Sequence, residues 1–279
     1  MTEPRTPTID GSDSGGGRPP LLAGLWRVGV ISARRTAASP GELAVAGAFY
    51  LVVTLVLSRL WESAAVSNGG EVAGYSAAAL VWYIATTECA VSAIPVRLAE
   101  EIGADVTTRR IELELLRPSS LPLVRIAATV GRILPRLGLM ALIGVVFATV
   151  AAGPALSIGA LLLAAPALLL AMTLNIVLQH AFAAATFWVE DAKSAWFLYQ
   201  KLVFVAGGML LPLEVLPTAV AGPARFTPFA ATAYVPGRLA SGHVEPGWLL
   251  VQAGWLVLAL VACVVAFEAG LRRIGGRGA

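Results

Sequence analysis

ELAVAGAFYLVVTLVLSRL, residues 42–60, carries no charge between Glu42 and Arg59 and no proline. It is apolar on every side, whereas a helix on a soluble core needs one apolar face only. Its length is that of a bilayer span, which takes about 20 residues to cross ~30 Å of hydrocarbon. Similar runs recur at residues 75–96, 126–152, 158–187, 195–211 and 248–270. The pattern predicts an all-α polytopic membrane protein with six transmembrane helices. Composition agrees, with 57% hydrophobic and 13% charged residues, where a soluble domain carries about 25% charged residues.

The segments between these runs complete the layout. Residues 1–20, MTEPRTPTIDGSDSGGGRPP, hold too little apolar surface to offset the entropy of ordering. They are expected to be a disordered tail ahead of a single transmembrane domain at 21–279. The tail also lacks the basic, apolar and cleavage regions of a signal peptide, so the first span is expected to drive insertion. Residues 21–39 mix Leu22, Leu25, Trp26 and Val30 with Arg27, Arg34 and Arg35, which predicts an amphipathic helix on the membrane surface, ended by Pro40. Residues 97–125, RLAEEIGADVTTRRIELELLRPSSLPLVR, carry both signs of charge. They predict two helical pieces in water or at the interface, broken at Pro118 and Pro122. Residues 212–247 contain Pro212, Pro217, Pro223, Pro228, Pro236 and Pro246. An apolar segment so interrupted is expected to form short re-entrant helices, with its backbone satisfied by protein or a water-filled cavity.

Orientation follows from the basic residues. A cytoplasmic N-terminus leaves only Arg59, Arg225 and Arg238 outside, of 20 lysines and arginines. Six spans with both termini inside are therefore expected, with the charged segment 97–125 in the cytoplasm. The net charge of +3 does not indicate nucleic-acid binding. The arginines flank apolar runs, as suits an anionic membrane surface.

The familiar signatures of soluble enzymes are missing. The sequence contains no G-x-x-x-x-G-K-[ST], no H-E-x-x-H, no C-x-x-C and no G-x-S-x-G. Cys89 and Cys263 fall within apolar runs and read as small buried residues. Neither a cofactor nor a metal site is expected in this chain. Glu88, in the middle of the second run, is the clearest intramembrane ionisable residue. It reads as a pathway contact, a proton relay or a hydrogen bond between helices. Asn175, Gln179 and His180 cluster late in the fourth run. Asn175 and Gln179 share a face, in keeping with interhelical hydrogen bonds or contact with cargo. Arg125, Arg132 and Arg136, spaced by seven and four, also share a face. They are suited to snorkelling toward lipid phosphates or to lining a vestibule.

Three stretches carry a family resemblance. The first is DVTTRRIELELLRP, residues 105–118. The second is FWVEDAK, 187–193. The third is GGMLLPLEVLP, 207–217, followed by PFAATAYVPGRLASG, 228–242. In order and spacing, from Leu21 onward, the chain resembles the ABC-2 type ABC transporter permeases. More closely it resembles their six-span bacterial branch, described as multidrug or viologen-type exporter permeases. Arg109 stands where relatives often carry glycine.

The resemblance implies a type V exporter-like fold in a bacterial cytoplasmic membrane. It implies a translocation pathway formed with a second permease subunit, either a copy or a paralogue. It also implies cytoplasmic ABC ATPase subunits that bind ATP and magnesium in place of this chain. The coupling helix would lie at roughly 100–118, with Glu100, Glu101, Asp105, Arg109, Arg110 and Glu112 as contact residues. Residues 21–39 would be the connecting helix, and the segment after the fifth span an extracellular re-entrant cap. An ion-driven secondary transporter and a non-transporting membrane scaffold are the competing readings.

Overall fold

The structure, a computed structural model, describes residues 21–95, 98, 101, 104, 121–154, 158–188 and 192–275. The expected tail at 1–20 and the contact residues Glu100, Asp105, Arg109, Arg110 and Glu112 lie outside the described residues.

Helix α1 (Leu21–Ala37) leads directly into α2 (Pro40–Ser67). Pro40 occupies the first turn of α2, where a missing N–H leaves no intrahelical bond unmade. Two residue pairs then form a minimal antiparallel hairpin, β1 (Glu71–Val72) and β2 (Tyr75–Ser76). Its two loop residues, Ala73 and Gly74, both have positive φ, 51° and 85°. A two-residue turn needs such values to match the twist of its strands. Ser76 then caps α3 (Ala77–Ser92), its Oγ accepting from the Ala79 amide at 3.2 Å. The hairpin uses Tyr75 and Ser76, so α3 is shorter than the expected 75–96.

The next helix, α4 (Leu121–Ala152), begins earlier than expected. Pro122 was expected to break the chain, but it lies in the first turn of α4, where proline is tolerated. Helix α5 (Ile158–Ala184) is prolonged by a 3₁₀ turn at Ala185–Phe187. Helix α6 (Ala192–Ala206) ends at Gly208, whose φ of +63° is the left-handed value that stops a helix. A 3₁₀ turn (Leu213–Val215) and three short helices follow: α7 (Thr218–Arg225), α8 (Pro228–Thr232) and α9 (Tyr234–Ala240). Helix α10 (Gly247–Gly275) completes the described chain.

Among the described residues four helices are long and apolar enough to cross a membrane: α2, α4, α5 with its 3₁₀ extension, and α10. The expected second and fifth spans are present as shorter apolar helices, α3 with 16 residues and α6 with 15. Sixteen residues reach about 24 Å, less than the hydrocarbon thickness. The shortness of α3 goes with its place at the centre of the bundle. It packs between α2, α4 and α9, and Leu80–Ala90 is buried almost without interruption. The outer helices instead present apolar stripes outward. Val45, Phe49, Val52, Val56 and Leu60 run along α2, and Leu250, Val257, Val261 and Val265 along α10. Exposed apolar surface of this extent belongs in lipid or against another chain.

Helix α1 lies along α4. Their backbones meet where Gly29 faces Gly131, and a Cβ on Gly131 would collide with the Gly29 carbonyl. Polar side chains tie other helices together, as is common in membranes. The Tyr50 hydroxyl donates to the Ala85 carbonyl at 2.8 Å, joining α2 to α3. Buried Gln252 of α10 donates to the carbonyls of Ala167 in α5 and Ala231 in α8, at 3.1 and 2.8 Å.

One end of the bundle is closed by a cap centred on Glu214. Its Oε1 accepts from Tyr234 Oη at 2.6 Å and pairs with Arg238 at 2.5 Å and Arg225 at 3.2 Å. Its Oε2 accepts from Tyr75 Oη at 3.3 Å. Arg238 also pairs with Glu245 at 2.8 Å, and Glu245 accepts from Trp248 Nε1 at 2.9 Å. Tyr83 donates to the Gly208 carbonyl, and Trp61 to that of Leu210 at 2.8 Å. The proline-rich segment thus has short helices, as expected, and each backbone oxygen named here meets a side-chain donor.

Candidate functional site

Helical geometry gives α3 two different faces. Trp82, Ala85, Thr86 and Cys89 line an apolar cavity of about 360 Å3 against α4 and α5. Glu88, Val91, Ser92 and Pro95 face another cavity, of about 240 Å3, walled also by α2, α4, α5 and α6. Both sets follow the three- and four-residue spacing of one helix side. Glu88 and Cys89, adjacent in sequence, therefore open onto different spaces.

The second cavity is the polar one. Helix α5 contributes Asn175 and Gln179, α4 contributes Arg136, and α6 contributes Tyr199 and Gln200. Gln179 donates to Asn175 Oδ1 at 2.9 Å, and Tyr199 donates to the same oxygen at 2.5 Å. Asn175 is therefore fixed by two donors. Tyr199 is itself held by stacking on Trp196, with ring centroids 5.8 Å apart, and by the edge of Phe182 at 5.1 Å. Phe49 and Phe204 supply further apolar wall.

Glu88 is 1% exposed. Its Oε2 accepts a long hydrogen bond, 3.4 Å, from Ser92 one turn on. Glu88 Oε1, Gln179 Oε1 and Arg136 Nε have no hydrogen-bond partner among the described residues. Buried polar atoms left unpaired cost about 1–3 kcal/mol each, and charged ones more. A ligand with matching groups would recover that cost. The cavity thus offers two acceptors and one donor in an aromatic enclosure, suited to holding an amphipathic molecule by hydrogen bonds and apolar contact.

The expected polar residues divide between two places. Glu88, Asn175 and Gln179 share the cavity. His180 does not join them. One residue further round α5, it bonds the Ile176 carbonyl through Nδ1 at 2.8 Å. It lines a separate pocket with Arg125 and Arg132. The arginine trio divides in the same way, since Arg136 faces the Glu88 cavity. Of the expected coupling residues, Glu101 lies among the described ones and pairs with Arg132 at 3.4 Å. Tyr199 and Gln200 were not singled out in the sequence, and Arg136 was grouped there with Arg125 and Arg132 rather than with Glu88. The only signal was their phase on α6 and α4 relative to Glu88 on another helix. Among the described residues no three His, Cys, Asp or Glu gather as a metal site.

Comparison with known proteins gives a family match. A family model described as ABC-2 family transporter protein covers residues 49–278. No curated protein and no solved structure matches the chain.

Proposed function

The chain belongs to the ABC-2 transporter family, and from that premise we propose that it is the permease subunit of an ATP-driven ABC exporter, forming the translocation pathway as a dimer. The observation that carries this reading is the Glu88 cavity. Helices from across the chain enclose it within the membrane domain, and three of its buried polar atoms are left unpaired. Binding groups at that depth belong to a molecule in transit more naturally than to a scaffold.

The sequence carries no phosphate-binding loop, and the family implies association with ABC ATPases. Partner ATPases would bind the ATP and magnesium. Residues 100–118 would contact them through Glu100, Glu101, Asp105, Arg109, Arg110 and Glu112. Glu101 of that segment stands beside Arg132 of α4, a position in keeping with this assignment. Helix α1 would be the connecting helix, and α7 to α9 the extracellular cap. The second permease would be a copy or a paralogue. Both termini would face the cytoplasm of a bacterium, with α3 and α6 completing six crossings.

Affinity purification of the tagged full-length chain from native membranes in mild detergent tests the reading. ATPase activity is assayed on the eluate. A co-eluting P-loop ATPase is the expected result, lost on charge reversal of Glu100, Glu101 and Arg110 while membrane insertion persists. Recovery of the chain without an ATPase would favour an ion-driven transporter or a scaffold.

A further inference from the structure

The pocket that receives His180 lies at the end of the bundle opposite the Glu214 cap. Its volume is about 370 Å3. Ser32, Arg35 and Thr36 of α1 form one wall, and Arg125, Thr129 and Arg132 of α4 form another. Glu101 is the single carboxylate among its described lining residues. We propose that this pocket binds the phosphate headgroup of an anionic lipid from the leaflet on which α1 lies. The proposal rests on the membrane location of the chain and does not depend on the transport reading.

The donors match the ligand. Three guanidinium groups and three hydroxyls surround one space, and arginine forks are the side chains best matched to phosphate oxygens. Among the described lining residues Arg35 and Arg132 outnumber the carboxylate of Glu101, which favours an anion. The Glu101–Arg132 pair does not close the site. Its 3.4 Å separation is long, and its side chains are 54% and 42% exposed. A pair so exposed is weak, and its arginine can turn to a phosphate at little cost.

The depth of the pocket is that of lipid headgroups. Helix α4 has 32 residues, about 48 Å of helix, against the ~30 Å that hydrocarbon occupies. The surplus of about 18 Å is long enough for its first turns, with Arg125 and Arg132, to project beyond the hydrocarbon. Beside them α1 exposes Leu22, Trp26 and Ile31, the apolar and tryptophan side chains of a helix embedded at an interface. The close Gly29–Gly131 contact brings the two helices together here. A lipid seated in the pocket would have its headgroup between α1 and α4 and its chains directed toward the core of the bilayer. Basic pockets between helices at the membrane surface recognise such headgroups.

The test uses the full-length protein, purified in detergent and examined by native mass spectrometry. Phosphatidylglycerol, phosphatidylcholine and inorganic phosphate are the probes. The expected result is retention of phosphatidylglycerol over phosphatidylcholine, with a roughly fivefold loss of that retention per arginine neutralised. R35Q should show the single loss and R35Q/R132Q the double loss. Arg35 is exposed, so R35Q keeps the measurement possible if the double variant fails to fold. R59Q and R272Q, which alter arginines outside the pocket, should retain the lipid as the wild type does. Equal retention of both lipids, or wild-type retention by R35Q, would overturn the proposal. Displacement of phosphatidylglycerol by millimolar inorganic phosphate would overturn the lipid as its source and assign the pocket to free phosphate.

Discussion

Two glutamates lie within the same helical domain and are treated in opposite ways. Glu214 is surrounded by donors, with two arginines and two tyrosines sharing its oxygens. Among the described residues only Arg225 Nε and Arg238 Nε are left over in that cap. Glu88 is more deeply buried, yet it has one long bond from Ser92 and one oxygen without a partner. A carboxylate whose partners all come from the protein holds the fold together. A carboxylate left short of partners beside a cavity is available to something else. The difference fits the cap to stability and leaves the central cavity as the place for the proposed pathway.

The largest effect that would break this comparison is at the cap. Glu214→Ala leaves two arginines and two tyrosines without their shared acceptor. It should cost about 2–3 kcal/mol, because hydrogen bonds to a charged group carry about 1.5–3 kcal/mol and this carboxylate is only partly buried. The melting temperature in detergent should fall sharply, or the protein should fail to accumulate. Unchanged melting would remove the structural role from Glu214.

At Glu88 the balance should reverse. Glu88→Gln keeps shape and one acceptor, so stability should shift by less than about 1 kcal/mol. Transport by the assembled complex should fall by about tenfold or more. A loss of protein level equal to the loss of transport would make Glu88 a structural residue instead. Between these two lies Asn175→Ala, which strands the donors of Gln179 and Tyr199. It should cost about 1–2 kcal/mol, read as a lower melting temperature together with reduced transport.

Acid should act on the cap more gently. Burial, aided by Arg238, holds the His243 imidazole below its ordinary range. The tilted Tyr75 ring lies against it, centroids 4.7 Å apart, and Ser241 lies 3.2 Å from Nδ1. The unfolded chain therefore takes up that proton first, so stability is complete above about pH 6.5 and declines as pH falls from there. The hydrogen bond from Arg238, then that from Trp248, likewise lowers the Glu245 carboxyl. The stability that Glu245 contributes is present above the ordinary carboxylate range and is lost as pH falls through its lowered value. Melting measured from pH 7.5 to 5 should show a modest fall that His243→Gln reduces. A flat profile for the wild type would contradict this. The smallest effect is expected from Glu245→Gln at neutral pH, within about 1 kcal/mol, because the pair is exposed.

How far the sequence could be read varies along the chain. The apolar runs place α2, α4, α5 and α10, with ends off by up to two turns at Ser67 of α2, because length and hydrophobicity alone define a span. Pro40 marks the junction of α1 and α2 for the same reason that it begins a helix well. Pro122 misleads, since proline is a breaker only inside a helix and this one lies in a first turn. The shortening of α3 was hidden because Tyr75 is as apolar as a helical residue, while its strand role depends on Val72 opposite.

Within the site, Glu88 and the Asn175–Gln179 pair were legible, one as a charge in an apolar run and the other by its four-residue spacing. Arg136 was grouped with Arg125 and Arg132, but it lies one turn deeper and faces a different cavity. Tyr199 looks like core until Asn175 is placed beside it. The short helices after the fifth span were legible from their prolines, but the Glu214 charge network that joins them was not. Its partners span residues 75 to 248 and are gathered by the folding of the proline-rich segment, which no local pattern encodes.

The most direct test of the central claim is thiol accessibility in the Glu88 cavity. Cys89 and Cys263 are free and buried, so Cys89→Ala and Cys263→Ala provide a background for Ser92→Cys beside Glu88. With the partner ATPase present, a small water-soluble thiosulfonate should modify Ser92→Cys, and its rate should change severalfold between the nucleotide-free and ATP-bound states. A Ser92→Cys thiol that stays unreactive in both states would contradict a pathway through this cavity.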